Sequence, residues 1–144
     1  MVEQAGVIVV AVDFEKASLK ALEVAKDLGQ SMGAEIVMAH VYQVPMFTYP
    51  GLEPAPLPTF NAEISTAAKR AVEELSAAQG GLRSVLREGD PATELLAVAN
   101  ELKARMLVMG THGRGGIAHL FLGSVAEKVM RHSTIPVLTV RATE

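Results

Sequence analysis

Two hydrophobic patterns alternate along the chain, and together they predict its elements. Short runs of apolar, mostly β-branched residues are typical of buried strands, and they fall at Gly6–Val12, Glu35–Tyr42, Leu82–Arg87, Arg105–Met109 and Pro136–Val140. Between them lie longer segments whose apolar residues recur every three or four positions, as on one face of a helix. These segments predict helices at Glu15–Met32 and Asn61–Ala78, a third that begins at Pro91 after an Asp90 N-cap, and a fourth at Ser124–His132.

The alternation of strands and helices predicts the fold class. Near-continuous apolar strands separated by helices indicate an α/β fold with a doubly wound, five-stranded parallel sheet and helices on both faces. Ligands of such sheets bind outside the carboxyl ends of the strands. The candidate functional positions therefore follow the strands: Asp13, the segment from Tyr42, Gly89-Asp90 and the loop that begins at Gly110.

One segment interrupts the alternation, the connection over residues 43–60. It contains five of the seven prolines of the chain, and long connections in compact domains are functional loops or disordered segments. Phe47, Tyr49 and Phe60 would suit a lid over a ligand. A tolerated insertion explains the segment equally well.

Length and composition exclude several classes of protein. The chain has 144 residues, of which 49% are hydrophobic and 20% charged, so we expect one domain over residues 1–144. The absence of cysteine excludes disulfides, thiol catalysis and Cys-bearing zinc sites. A net charge of −3 without a run of Lys or Arg argues against a nucleic-acid partner. The longest apolar run, Ala5–Val12, is too short to span a membrane and has no basic leader, so we expect a cytoplasmic protein.

The densest cluster of unusual residues is the glycine-rich loop from Gly110 to Ser124. Glycines between a strand and a helix let backbone amides converge on an anion such as phosphate, and the helix that begins near Ser124 adds the positive end of its dipole. Arg114 offers a forked donor to phosphate oxygens. An alternative is local: Ser124 and Glu127 match a capping box. For His112 and His119 we expect positions on the loop surface, and no residues suggest a metal site or a catalytic group.

The spacing of this loop, Gly110-x2-Gly113-x9-Gly123-Ser124, resembles the ATP-binding signature of the universal stress protein family. The residues around it look like the C-terminal third of that family. The first strand, which ends at Asp13, is also similar, and the resemblance weakens only through the Pro-rich loop. Glu15 departs from the pattern, because family members often carry Ser or Thr there.

The resemblance implies a Rossmann-like sheet of the adenine nucleotide alpha hydrolase type, with strand order 3-2-1-4-5. That order brings Asp13 beside Gly110. It further implies a binding site for an adenine nucleotide (ATP, AMP or cAMP), with Mg²⁺ carried by the phosphates if ATP is bound. The implied nucleotide-binding residues are Asp13, Val41, Gly89, Met109, Gly110, Gly113, Arg114, Gly123, Ser124 and Val125. Family members commonly dimerise through the last strand, here Pro136–Val140.

Three functions are compatible with this site. The first is an ATP-binding stress-response module that acts as a regulatory homodimer. The second is slow ATP hydrolysis or autophosphorylation, for which no P-loop and no evident base are present. The third is a nucleotide-independent interaction protein of the same fold. The intact glycine spacing favours the first.

Overall fold

The computed structural model describes residues 6–56, 58–111 and 122–142. The strands are β1 (Val7–Ala11), β2 (Glu35–Tyr42), β3 (Met46–Phe47), β4 (Ala55–Pro56), β5 (Arg83–Glu88), β6 (Met106–Gly110) and β7 (Val137–Val140). The helices are α1 (Lys16–Met32), α2 (Pro58–Ala78), α3 (Pro91–Glu101) and α4 (Ser124–His132). Each long predicted element is present, with its ends within one or two residues of the prediction except at the start of α2.

The five long strands form one parallel sheet in the order β5-β2-β1-β6-β7. Counted along the chain without the two short strands, this is the predicted order 3-2-1-4-5, which is confirmed. β1 lies at the centre, where Val9 pairs with Val37 of β2 on one side and with Leu107 of β6 on the other. From β1 the chain adds β2 and β5 on one side of the sheet, and then β6 and β7 on the other. The strand order therefore reverses between β1 and β6, and in such folds a crevice opens at this point.

Helices cover both faces of the sheet, as predicted. One buried cluster joins β1, β2 and β6 to α3 and α4, and includes Val98 and Val129. The other lies on the opposite face and joins the same strands to α1, through Ala21 and Leu22. Each central strand thus buries both of its faces, which explains why it is almost continuously apolar. None of the helices in the described ranges is long and apolar enough to cross a membrane.

Part of the Pro-rich segment forms secondary structure that the sequence pattern did not predict. β3 and β4 form an antiparallel hairpin, in which Phe47 pairs with Ala55. α2 begins at Pro58 rather than at Asn61, because proline fits the first position of a helix, where its missing N–H costs nothing. The large apolar side chains of the hairpin are exposed: Met46, Phe47, Tyr49 and Leu52.

Candidate functional site

Asp13 lies in the turn between β1 and α1, at the carboxyl edge of the sheet. Its carboxylate Oδ1 accepts a hydrogen bond from the Glu15 amide at 2.9 Å, which closes an Asx-turn. The Asp13 amide donates to Ser18 Oγ at 3.1 Å, and this hydroxyl donates to the Glu15 carbonyl at 3.2 Å. Ser18 is 3% exposed, so a buried hydroxyl at the start of α1 fixes the turn from within.

Phe14 follows Asp13 in a left-handed conformation, with φ of 66°. A bulky L-residue adopts this conformation only at a cost of about 1–2 kcal/mol. Its ring packs edge-to-face on the ring of His40 in β2, with 4.8 Å between the ring centroids. His40 Nδ1 lies 2.6 Å from the Val12 carbonyl oxygen. The turn that carries Asp13 is therefore in contact with the neighbouring strand.

Gly110, the last residue of β6, is closely packed against the first turn of α1. A Cβ atom at this position would lie 2.7 Å from the Ala17 Cβ, 2.9 Å from the Ala17 carbonyl carbon and 3.0 Å from the Ser18 amide nitrogen. The absence of a side chain at Gly110 is thus required by packing. The same contact brings the end of β6 beside the Asp13 turn, as the strand order predicts.

Gly123 and Ser124 begin α4 on the other side of the glycine-rich loop. The Gly123 amide donates to the Thr111 carbonyl at 2.5 Å, and the Thr111 amide donates to the Val140 carbonyl at 3.0 Å. The two ends of the loop are therefore joined at the carboxyl end of β6. Gly113, Arg114, His112 and His119 lie outside the described residues, so their predicted roles stay predictions.

The capping-box interpretation of Ser124 and Glu127 is wrong. Gly123 occupies the N-cap position, and Ser124 is already the first helical residue. The N-cap residue therefore has no side chain to accept the amides of the first turn. Because those amides point toward the carboxyl edge of the sheet, they suit an anion.

The far side of the crevice is formed by the ends of β2 and β5. Val41 is half-buried in β2, and the amide of Gly89 donates to the carbonyl of Tyr42 at 3.0 Å. Gly89 has φ of 143°, a conformation that L side chains rarely adopt. The predicted positions Val41 and Gly89 are therefore neighbours across the β2–β5 pair.

Asp90 follows Gly89 and is the N-cap of α3, as predicted. Its Oδ2 accepts from the Thr93 amide at 3.0 Å and from the Thr93 hydroxyl at 2.7 Å. Lys128 Nζ of α4 lies 2.9 Å from the same oxygen. The hydrogen bond from Lys128 and those from Thr93 lower the pKa of Asp90 from 3.8 to about 2. This ion pair connects the N-cap of α3 to the second turn of α4, the two helices that cover one face of the sheet.

The predicted site residues differ in which of their atoms, backbone or side chain, a ligand could contact. Met109 is 4% exposed within the core, and Val125 is half-buried against the same cluster, so both are available to a ligand chiefly through the backbone. Asp13 and Ser124 present polar side chains. Two residues near the site were not predicted, His40 and Lys128. A single histidine near the end of an apolar strand gives no periodic signal. Lys128 lies one helical turn after Ser124, and its ion pair with Asp90 joins two helices, so nothing along α4 indicates it.

The donor set favours an anionic ligand held largely by amides. In the described parts of the chain, no group of three or more His, Asp or Glu side chains is placed to hold a metal ion. A divalent cation would therefore depend on ligand oxygens for most of its coordination, with Asp13 as the one predicted carboxylate at the site.

Comparison with known proteins agrees with this architecture. The model of the universal stress protein family matches residues 5–141. The Thermus aquaticus protein "Universal stress protein in QAH/OAS sulfhydrylase 3'region" is 36% identical over 140 residues, covering 93% of this chain and 97% of the relative.

Two solved structures extend the comparison. UspA from Lactobacillus plantarum superposes with a TM-score of 0.78 at 19% identity, covering 96% of this chain and 99% of UspA, which shows a common fold. A universal stress protein crystallised in complex with cAMP has a TM-score of 0.63 at 29% identity, covering 98% of this chain and all (100%) of that one.

Proposed function

Because the chain belongs to the universal stress protein family, we propose that it is a regulatory module that binds an adenine nucleotide and acts as a homodimer. One observation carries the proposal: the Asp13 turn, the end of β6 and the start of α4, which has Gly123 as its N-cap, meet at the carboxyl edge of the sheet. The cAMP complex of a similar protein supports an adenine nucleotide as the ligand.

In this proposal the nucleotide lies across the crevice between β1 and β6. Asp13 accepts hydrogen bonds from the sugar, since its carboxylate is already oriented by the Glu15 amide. The Val41 backbone and Gly89 flank the base at the β2–β5 side. The sugar and phosphates are held by the remaining predicted residues: Met109 and Val125 through their backbones, with Gly110, Gly113, Arg114, Gly123 and Ser124.

A polyanionic ligand would be attracted by groups at the site itself and not by the overall charge of the chain. The chain carries a net charge of −3, so its overall field does not attract a phosphate ester. The attraction has to come from Arg114 and from amides at the start of α4, where the helix dipole adds its positive end. Mg²⁺, when ATP is the ligand, would be carried mainly by phosphate oxygens.

Calorimetric titration with ATP, AMP and cAMP tests the proposal. We expect saturable binding of at least one nucleotide, and loss of that binding in Gly123→Val. Gly123 has φ of −64° and ψ of 156°, which valine adopts without strain, so the loss would reflect the filled site. Gly80→Ala, in the turn after α2, is the control that should leave affinity unchanged. Absence of binding at millimolar nucleotide would refute the proposal and favour a nucleotide-independent interaction protein.

Dimerisation through β7 is the second part of the proposal. β7 is an edge strand of the sheet. The carbonyls of Pro136 and Val140 accept bonds from the β6 side, so alternation directs the amides of Val137 and Thr139 outward. Within the described ranges no strand pairs with the outer side of β7, and an edge of this kind is a template for pairing with a second copy.

Light scattering after size exclusion tests the dimer. We expect twice the chain mass, and a shift toward the monomer in Thr139→Pro, which removes an outward amide. Ser84→Pro is the matched control, since Ser84 lies on β5 at the opposite edge. A dimer that survives Thr139→Pro but not Ser84→Pro would assign the interface to the other edge.

A further inference from the structure

The turn that carries Asp13 contains a strained residue that its surroundings must hold in place. Phe14 has φ of 66°, and such conformations persist in bulky residues only where contacts over-determine them. The bonds within the turn, from Asp13 to Glu15 and Ser18, fix its interior. They do not by themselves fix the turn relative to the rest of the sheet.

His40 supplies contacts to the turn on both sides of Asp13. Its Nδ1 lies 2.6 Å from the carbonyl oxygen of Val12, the residue before Asp13. Its ring packs on Phe14, the residue after Asp13. Because a carbonyl only accepts hydrogen bonds, Nδ1 must carry the proton and donate it. A single side chain of β2 therefore holds both neighbours of the carboxylate residue.

His40 also connects Asp13 to the opposite side of the crevice. It directly precedes Val41, and the amide of Val12 donates to the carbonyl of Ala39 at 2.8 Å. Backbone bonds and the imidazole thus join the same short stretch of β2 to the end of β1. The stretch that ends at Val41 and the turn at Asp13 are fixed relative to each other.

We propose that His40 is a positioning residue for nucleotide binding, which sets the place of the Asp13 carboxylate relative to Val41 through Val12 and Phe14. This inference rests on the proposed function, because it assumes that Asp13 and Val41 contact one ligand. His40 itself need not touch the nucleotide. Its effect is exerted through the Asp13 turn, so it depends on the presence of the carboxylate.

Two substitutions separate the contacts of His40. His40→Leu keeps an apolar side chain against Phe14 but leaves the Val12 carbonyl without its donor. His40→Asn places an amide nitrogen where Nδ1 stands, so it retains a donor and loses the ring contact. We expect ATP to bind about five- to tenfold more weakly to His40→Leu, as it would if the Asp13 turn held its binding position in about a fifth to a tenth of the molecules. Affinity should be partly recovered in His40→Asn, which restores the donor to Val12 but not the contact with Phe14.

The decisive measurement is a double-mutant cycle with Asp13→Ala, using ATP titrated by calorimetry. If His40 acts through the carboxylate, His40→Leu causes little further loss of affinity once Asp13 is alanine. Ile8→Val is the stability control: Ile8 is fully buried near the amino end of β1, so it should lower thermal stability without changing ATP affinity. Should His40→Leu fail to fold, His40→Met has the same missing donor in a more adaptable side chain.

The outcomes distinguish the two proposals. Parent-like affinity in His40→Leu or His40→Met, or additive losses in the cycle with Asp13→Ala, would overturn the role of His40 and leave the proposed function standing. Failure of the parent chain to bind ATP, AMP or cAMP would overturn the proposed function and this inference with it.

Discussion

Replacement of Gly110 by alanine tests whether the end of β6 is locked against α1 by steric contact. The new Cβ would lie 2.7 Å from the Ala17 Cβ, and 2.9 Å and 3.0 Å from backbone atoms of Ala17 and Ser18. Backbone atoms cannot rotate away, so the first turn of α1 has to shift. Overpacking of this kind costs about 1–3 kcal/mol, which for a chain of this size lowers Tm by about 4–8 °C at the middle of that range.

Thermal unfolding followed by circular dichroism measures the loss. Ala17→Gly in the Gly110→Ala background removes the contact at 2.7 Å but leaves the two backbone contacts, so we expect partial and not full rescue. Gly80→Ala is the matched control, because its φ is 83° but nothing lies within 4 Å of the added Cβ. It should cost about 1 kcal/mol through strain alone and should not respond to Ala17→Gly.

A Gly110→Ala protein within about 0.5 kcal/mol of the parent would refute this reasoning. It would mean that the start of α1 yields without cost. The result also bears on the nucleotide site. If Gly110→Ala is destabilised as expected, lost nucleotide binding in that variant reflects displacement of the Asp13 turn as much as a missing ligand contact, which is why Gly123→Val is the cleaner probe.

Three further predictions concern other contacts. Lys128→Met removes the main cause of the lowered pKa of Asp90; since that pKa falls from 3.8 to about 2 on folding, the stabilisation is complete above the higher value and disappears as pH falls through the lower one. Urea unfolding should therefore show a deficit for Lys128→Met at pH 6 that shrinks toward pH 2, and a constant deficit would contradict the assignment. Gly29→Ala should destabilise despite the helix preference of alanine, because its Cβ would lie 3.0 Å from the Ala34 carbonyl oxygen as well as 2.6 Å from Ile36 Cδ1; Ile36→Val removes only the contact with Cδ1, so it should recover part of the loss in Tm. Leu52→Ser, at a side chain 71% exposed, should change the free energy of unfolding by less than about 0.5 kcal/mol, and a larger loss would indicate packing of the hairpin.

The fold was predictable because its strongest signals are local and mutually consistent. Parallel strands buried on both faces are continuous apolar runs, and Asp90 followed by Pro91 marks the start of α3 unambiguously. The β3–β4 hairpin was not predictable, because five prolines obscure any alternation of polar and apolar residues. The bounds of α4 were predicted correctly, but its N-cap was not. Gly123, whose amide donates to the Thr111 carbonyl, occupies the N-cap position one residue before the one that the Ser124–Glu127 spacing suggests.

The candidate site was only partly predictable from the sequence. Asp13 and Gly110 could be placed together because the strand order brings the ends of β1 and β6 side by side. The steric reason for Gly110 could not be foreseen, since it depends on how closely α1 approaches the sheet. The contacts of His40 could not be predicted either, because they reach Val12 and Phe14 just beyond the end of the neighbouring strand and leave no pattern along the strand that carries it.

The bond between Thr111 and Gly123 has a consequence for how this chain can vary. It joins the two ends of the glycine-rich segment to each other, and Thr111 is itself bonded to Val140 of the last strand. These two bonds hold both ends of the segment at the carboxyl end of β6. The entropic cost of closing a loop rises only slowly with the length of the loop. We therefore expect changes in the number of residues between Thr111 and Gly123 to leave the register of the sheet intact. Under the proposed function, the spacing of the glycines in this segment is then constrained by ligand binding and not by the fold.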